Sequence, residues 1–517
     1  MGLAQAIATL QVYASNRRLF NQMAAVAAAG FLPVPSPEVI PGLLSPVTAM
    51  AGGLLFTLSV GAGLAFLSMA AAGWWAGRAP RSRLAATVVV GIEDPRSKLR
   101  GIFDRKESSL FRIRSLTPPQ AAGNALAIAV QAALLLLMNS RGFDPWVSLY
   151  FIVIPPTVFW VTRRSLARCE SAPDRRFVLW RLLPIALLAL AWSTQYDRSL
   201  FIDLRDHLLM SNAAGQSVSS FYYRYTLYPA EVFKPLDQRL IRTVACPDAD
   251  PPAADVRQAL IRNDYLPVAA AGDADLGLRM QGERMRFTRE GQAVLDTTTT
   301  GFLADPRRAL SEISTQTDRW PFFRTFTFYG ILLAFPIALY CLLFAGLRLL
   351  AGIVAGDRRA DVLCAAACLT IGLGILAFFH SSRPPPPRTD EMTAALGSAS
   401  WQTRVAALRQ IHDPHLDVCA HPAYAGMLRS PHPQERYWLA RALATSASPA
   451  ASADLAHLLD DPHINVRTQA VEAIAQRRDR GTVREILKRL QTSQDWYFQL
   501  YAYRALRALG WNQTASR

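Results

Sequence analysis

The sequence predicts a mainly α-helical membrane protein: a six-helix transmembrane bundle, a small exported α+β domain inserted between the fourth and fifth spans, and a carboxy-terminal α-solenoid of repeated helical hairpins. Three observations predict this. The chain of 517 residues is 51% hydrophobic with a mean hydropathy of +0.14, too apolar for an ordinary soluble protein. Six runs approach the roughly 20 apolar residues that cross a hydrocarbon core. The last quarter of the chain repeats, with equivalent leucines at Leu396, Leu428 and Leu459, a period in the range of helical-hairpin repeats.

Residues 1–45 come first. The stretch "NRRLFNQMAAVAAAGFLPVPSP" sets two arginines before a short apolar run, as an export signal does. Asn21 and Gln22 interrupt that run, so an amphipathic or interfacial segment is the expectation, with a cleaved signal or a seventh span as alternatives. The spans follow at approximately 46–77, 121–139, 146–162 and 177–195, then 325–347 and 362–379. The first is too long for one straight crossing. Gly52, Gly53, Gly61 and Gly63 offer places for a bend or for close helix packing.

Loop charge orients these spans. Residues 78–114 carry ten Arg or Lys against four Asp or Glu, residues 163–181 carry six against two, and "AGDRRAD" at 355–361, with Arg348 just before it, is a third basic loop. All three read as cytosolic by the positive-inside rule. Residues 197–324 hold sixteen positive and seventeen negative side chains, a balance that suits translocation. Alternation then places the middle domain and the carboxy terminus on the periplasmic side of a bacterial inner (plasma) membrane, with the lipid bilayer as the first partner. The formal net charge of +16 is explained by those loops. No nucleic-acid-binding motif accompanies it, so no nucleic-acid partner is expected.

The exported domain, 197–324, opens with a helical pattern "DLRDHLLM" and an aromatic stretch "SFYYRYTLYPAEVFKPLDQRLI". A second helix is expected in "ADVRQALIRNDYL", and "LGLRMQGERMRFTREGQAVLDT" alternates as a β-hairpin does. Spans five and six occupy 325–379. The linker at 380–390, "HSSRPPPPRTD", favours an extended polyproline II spacer.

The repeats fill 391–517. Set beside one another, "LGSASWQTRVAALRQI", "LRSPHPQERYWLARAL" and "LDDPHINVRTQAVEAI" align Arg404 with Arg436 and Arg467, and Ile411 with Leu443 and Ile474. A fourth copy, "LQTSQDWYFQLYAYRALRAL", carries Gln499 in place of the arginine and a set of aromatic residues. Each unit reads as a first helix, a polar turn and a second helix with apolar residues at helical spacing. Over residues 391–511 this resembles the HEAT-like repeats of the phycobilisome-lyase type. The resemblance implies an α-solenoid that serves as a binding surface; no bilin-attachment signature is present, so no catalytic residue is carried over. The atypical fourth copy caps the stack or docks a partner, and Trp496, Tyr497 and Tyr501 are the protein-binding candidates.

Chemistry-bearing residues are sparse. "IHDPHLDVCAHP" brings together His412, His415, Cys419 and His421, donors suited to a metal, but in no established zinc spacing. Polar turn residues account for them equally, as they do for His432 and His463, so no metal is expected. Of six cysteines only Cys246 and Cys419 fall on the outer side, where a bridge between them is open. Cys364 and Cys368 suit packing in the last span. The spans lack Asp and Glu, with Asn124, Gln131 and Thr157 their main polar groups. That weighs against ion-coupled transport. No Walker loop, GxSxG, HExxH or CxxC occurs, so neither an enzyme nor a cofactor is expected. The leading function is non-enzymatic: an integral inner-membrane scaffold or assembly subunit that docks another envelope protein through periplasmic repeats. The alternative is a membrane enzyme or transporter with regulatory periplasmic domains, built around a polar cavity at Asn124, Gln131 and Pro155.

Overall fold

The computed structural model describes residues 1–36, 38–39, 42, 44–75, 118–168, 175–195, 197–226, 228–246, 252–269, 272–354, 357–411 and 417–514. The whole of the basic loop 78–114 and part of each of the other two basic loops lie outside the described residues. The chain forms two compact units. One comprises Met1–Gln11, Gly53–Arg198 and Arg319–Phe378; the other comprises Val12–Gly52, Ser199–Asp318 and Phe379–Arg517.

The first unit is helical, and all six predicted spans fall on helices. Four helices are long and apolar enough to cross a membrane: Pro46–Ala72, Pro145–Ser165, Pro321–Ile353 and Arg359–Ser381. The other two predicted spans contribute shorter apolar stretches among the described residues, Ile128–Asn139 and Leu182–Ser193. Small residues set the packing. A Cβ on Gly53 would press on Ala8, and one on Gly61 would meet Ala4 at 2.7 Å, so small residues on both helices let the backbones approach. Thr57, between those glycines, donates its hydroxyl to Gln5 at 2.8 Å. The long first run is relieved by one π turn at Thr57–Gly61, and a second π turn at Gly330–Ala334 packs against it. Gly330 is required there, since a Cβ would sit 2.8 Å from the Ser59 carbonyl oxygen.

Gln131, one of the few polar groups in the spans, has a structural task. Pro155 lies inside the helix Pro145–Arg168 and has no N–H for the carbonyl of Phe151, four residues back. The Gln131 amide donates to that carbonyl at 3.1 Å. A freed backbone acceptor in an apolar bundle is thus satisfied from a neighbouring helix. The side chain of Asn124 lies outside the described residues. Cys364 and Cys368 are buried beside Tyr340 and Phe344, as packing residues. Asp361, just before the last predicted span, is buried and pairs with Arg348 at 2.6 Å.

The second unit joins three stretches that the sequence divides among an amino-terminal segment, a middle domain and a repeat region. The middle stretch supplies a five-stranded mixed sheet in the order β2-β1-β3-β4-β5, where β1 is Arg242–Ala245, β2 Tyr265–Val268, β3 Leu276–Gln281, β4 Arg284–Arg289 and β5 Gln292–Thr298. The expected hairpin is β3 and β4, extended to a meander by β5. Glu290 and Gly291 both take positive φ in the β4–β5 turn, the conformation a two-residue hairpin turn requires. Strands β1 and β2 escape sequence patterning because each is a run of four buried residues with no alternation. Pro267 is tolerated in β2 because β2 is an edge strand. The expected helix forms at Ala254–Arg262 and crosses between these two parallel strands.

Four helical hairpins follow the linker. Their first helices are Met392–Leu396, Tyr424–Met427, Ala450–Leu458 and Val483–Thr492; their second helices are Trp401–Gln410, Pro433–Leu443, Ile464–Arg477 and Trp496–Ala508. The second helices pack in sequence, each on the next. Polar turn residues start them: Ser400, His463 and Asp495 each accept a backbone N–H of the first turn. His463 is therefore a partly buried cap, not a solvated turn residue. Burial pushes it down to about 4, so the neutral ring accepts through Nδ1.

Candidate functional site

The aligned arginines form a ladder from repeat to repeat. Arg404 pairs through two nitrogens with Glu435 in the second repeat, and Arg436 pairs the same way with Asp461 at the turn of the third. Arg467 reaches Asp495, the cap of the fourth second helix, at 3.5 Å. Glu435 and Asp461 are almost fully buried, so the first two rungs are charge-assisted clamps between neighbours, while the third is longer and partly exposed. The arginines therefore hold the stack together and do not offer a continuous docking surface. Gln499 takes the arginine's place in the fourth repeat. Its amide donates to the Ser493 carbonyl at 2.8 Å and to Ser36 Oγ at 3.0 Å, and its oxygen accepts the Ser36 N–H at 2.9 Å.

Residues of the amino-terminal stretch close that end of the stack. Leu32 exchanges two backbone hydrogen bonds with the Gln513 amide, at 3.0 and 2.8 Å. Met23, Val26, Phe31 and Val34 join the same hydrophobic core as the repeats and strand β2. Asn21 and Gln22, which break the apolar pattern, hydrogen-bond to Asp273. On the other flank the Tyr503 hydroxyl lies 2.7 Å from Asp264.

This arrangement corrects the aromatic docking candidates. Trp496 and Tyr497 are buried within the chain, against Leu19, Val39, Tyr223 and Leu240. The Trp496 indole donates to the Arg224 carbonyl at 3.3 Å, and the Tyr497 ring packs 4.8 Å from Tyr223. Burial pushes the Tyr497 phenol well above its ordinary range. The sequence "SFYYRY" supplies the cover, which the helical spacing of the fourth copy could not disclose. Both are cap residues. Tyr501 differs: it packs its ring 4.9 Å from that of Tyr497 but is only half-buried.

Tyr501 lines an open groove of about 440 Å³ across the last three second helices. Tyr437 and Arg441 come from the second repeat, Gln469 and Glu472 from the third, Tyr501 and Arg504 from the fourth. Arg504 lies over the Tyr501 ring and Arg441 over Trp438. Tyrosines held at half-burial between guanidiniums are the composition of interface anchors. With Arg441 and Arg504 against Glu472, the groove carries an excess positive charge. A second, larger cleft of about 880 Å³ opens at the amino-terminal ends of the third and fourth second helices, between Arg224, His463, Arg467 and Asp495.

The metal candidates do not assemble as a group among the described residues. His412 and His415 lie outside them. Cys419 sits 3.2 Å from the Ser446 hydroxyl, and His421 Nδ1 lies 3.2 Å from the Thr393 hydroxyl. Cys419 and Cys246 are both free thiols, so the bridge left open by the sequence is not formed.

The HEAT repeat family model matches residues 421–509. The match takes in the second, third and fourth hairpins. Neither a curated protein nor a solved structure matches the chain.

Proposed function

We propose that this chain is an integral membrane protein that docks another envelope protein on its repeat stack, as a scaffold or assembly subunit and not as an enzyme. The groove lined by Tyr437, Arg441, Glu472, Tyr501 and Arg504 carries this reading. It lies on the faces of three stacked second helices, where side chains from successive repeats can meet one extended segment. Its charge favours a segment with acidic residues. The phycobilisome-lyase likeness of the repeats carries the same expectation of binding without catalysis.

The membrane part of the proposal is supported by side-chain exposure. Leu136, Leu190, Leu350, Ile353 and Leu363 are more than half exposed on apolar helices, a pattern that suits lipid as the surrounding medium. Six spans with three basic inner loops remain the topology that best fits the charge pattern. A reporter active only in the outer compartment is expected to work when fused after Thr300 or Arg517 and to stay silent after Arg105. Activity at 105 with silence at 300 inverts the topology. The enzyme or transporter alternative placed its cavity at Asn124, Gln131 and Pro155, and of these the Gln131 amide is engaged by the Phe151 carbonyl.

Docking is tested by placing a photo-crosslinking amino acid at Arg504 and, as a control, at Glu283 on the β3–β4 turn. One partner band should appear at 504 and not at 283, and Arg441→Glu should reduce it about tenfold, as loss of an anchoring charge does. Equal bands at both positions, or a band indifferent to Arg441→Glu, reject the groove as the docking face.

A further inference from the structure

The stretch from Leu200 to Tyr225 buries polar side chains and exposes apolar ones. Asp203, Asp206, His207 and Ser219 are each 2% exposed or less, whereas Phe201 is 59% exposed, Val218 57%, Tyr222 39% and Phe221 38%. A surface helix in water shows the reverse pattern, because burial of its apolar face is what makes it pack. Buried polar groups beside an exposed apolar stripe therefore call for a different surrounding medium.

Polar contacts within the chain hold the inward face. Asp203 accepts from Arg409 at 2.5 Å and from Arg383 at 2.6 Å, and Asp206 accepts the Trp438 indole N–H at 2.7 Å. The Gln434 amide donates to the Asp206 carbonyl at 2.9 Å, and the Gln216 amide donates to the Met210 carbonyl at 3.0 Å. Ser219 is buried on the helix Ala213–Phe221, and Tyr223, just beyond it, packs its ring 4.8 Å from Tyr497. These contacts leave the opposite face outward. On it Val218, Phe221 and Tyr222 stand at i, i+3 and i+4, which places them in one stripe. The Phe221 ring lies 5.2 Å from that of Tyr225, and the exposed Arg224 sits over the Tyr225 ring.

Chain connectivity says what covers the stripe. Only residues 194–199 separate Leu200 from the apolar stretch Leu182–Ser193, and fully extended they reach roughly 25 Å. On the reading of that stretch as a span, the segment starts close to the bilayer surface. Phenylalanine, tyrosine and arginine suit that zone: the rings settle at headgroup level, and the guanidinium reaches the lipid phosphates. We infer that the helix Ala213–Phe221 lies in the membrane interface, with Val218, Phe221 and Tyr222 seated at the acyl boundary and Arg224 among the headgroups. This rests on the membrane reading above and adds to it a second kind of lipid contact, made by a helix that lies along the bilayer and does not cross it.

The test uses the full chain reconstituted in nanodiscs of phosphatidylethanolamine and phosphatidylglycerol. Photoreactive benzoylphenylalanine is placed at Phe221, at Leu350 on an apolar helix and at Glu283 on the β3–β4 turn, all of them exposed positions, and each irradiated chain is weighed intact. The chains labelled at 221 and 350 should gain the mass of one phospholipid, and the chain labelled at 283 should gain none. A lipid adduct at 350 with none at 221 overturns the interfacial helix and leaves the membrane reading standing. Adducts at none of the three positions overturn both. Equal adducts at 221 and 283 mean that lipid contact does not distinguish the stripe from a polar turn, and a cross-linked dimer at 221 in place of the lipid adduct gives the stripe to a second copy of the chain; either result overturns the inference.

Discussion

Ala470→Asp should collapse the repeat stack. Ala470 is fully buried on the helix Ile464–Arg477, which packs against the second helices on both sides. The surrounding Leu439, Leu443, Ala502 and Leu506 belong to the same core and offer no donor to a carboxylate. Burying an unpaired ionised group there costs on the order of several kcal/mol even after relaxation. A solenoid holds each repeat largely through its neighbours, so loss at the third removes support from the second and fourth. Limited proteolysis of the full chain in detergent should show cleavage within 421–509 for this variant. Gln476→Asp, with the same new charge on an exposed position of the same helix, should leave the pattern unchanged. An unaltered digest for Ala470→Asp would mean that the inner face of that helix is wrongly assigned.

The register behind that prediction was legible in the sequence. Equivalent leucines and the aligned Arg404, Arg436 and Arg467 fix which residues begin and end each hairpin, because a repeated hydrophobic period is local information. The role of those arginines was not legible. Their partners Glu435, Asp461 and Asp495 lie 31, 25 and 28 residues further on, and no constant spacing announces them. The same physics hid the cap. Gln499 stands out as a departure from the pattern, yet Ser36 is 463 residues away in sequence, and a contact across that distance leaves no periodicity behind.

The aromatic candidates show a related limit. Helical spacing distinguishes one face of Trp496–Ala508 from the other, and both faces are aromatic. Which face is covered depends on Tyr223 and Val39 from distant stretches. Tyr501 alone therefore keeps its place on the proposed docking groove. The ion pairs beside the first repeat were also out of reach: "DLRDHLLM" reads as an amphipathic helix, and nothing local marks Asp203 as the partner of arginines at 383 and 409. The apolar helices, by contrast, followed directly from composition: four are long and apolar enough to cross a membrane, and two more carry shorter apolar stretches among the described residues.

Asp203→Ala is the second change with a large expected effect. Its carboxylate is fully buried and joins the stretch that begins at Ser199 to the linker through Arg383 and to the first repeat through Arg409. Removing it takes the buried carboxylate away from two guanidiniums, each about a quarter exposed. Breaking a buried ion pair by deleting one partner costs roughly 3–5 kcal/mol. Partial exposure of the arginines lets water screen part of that, so about 2–3 kcal/mol is the expected loss here. The unfolding midpoint of the full chain in detergent should fall by several degrees, and proteolysis should begin at the linker 384–390. Pairing the change with Arg409→Met should recover part of the loss, because the repulsion between the guanidiniums goes with it. If Asp203→Ala unfolds at the same midpoint as the native chain, the carboxylate does not hold these three stretches together.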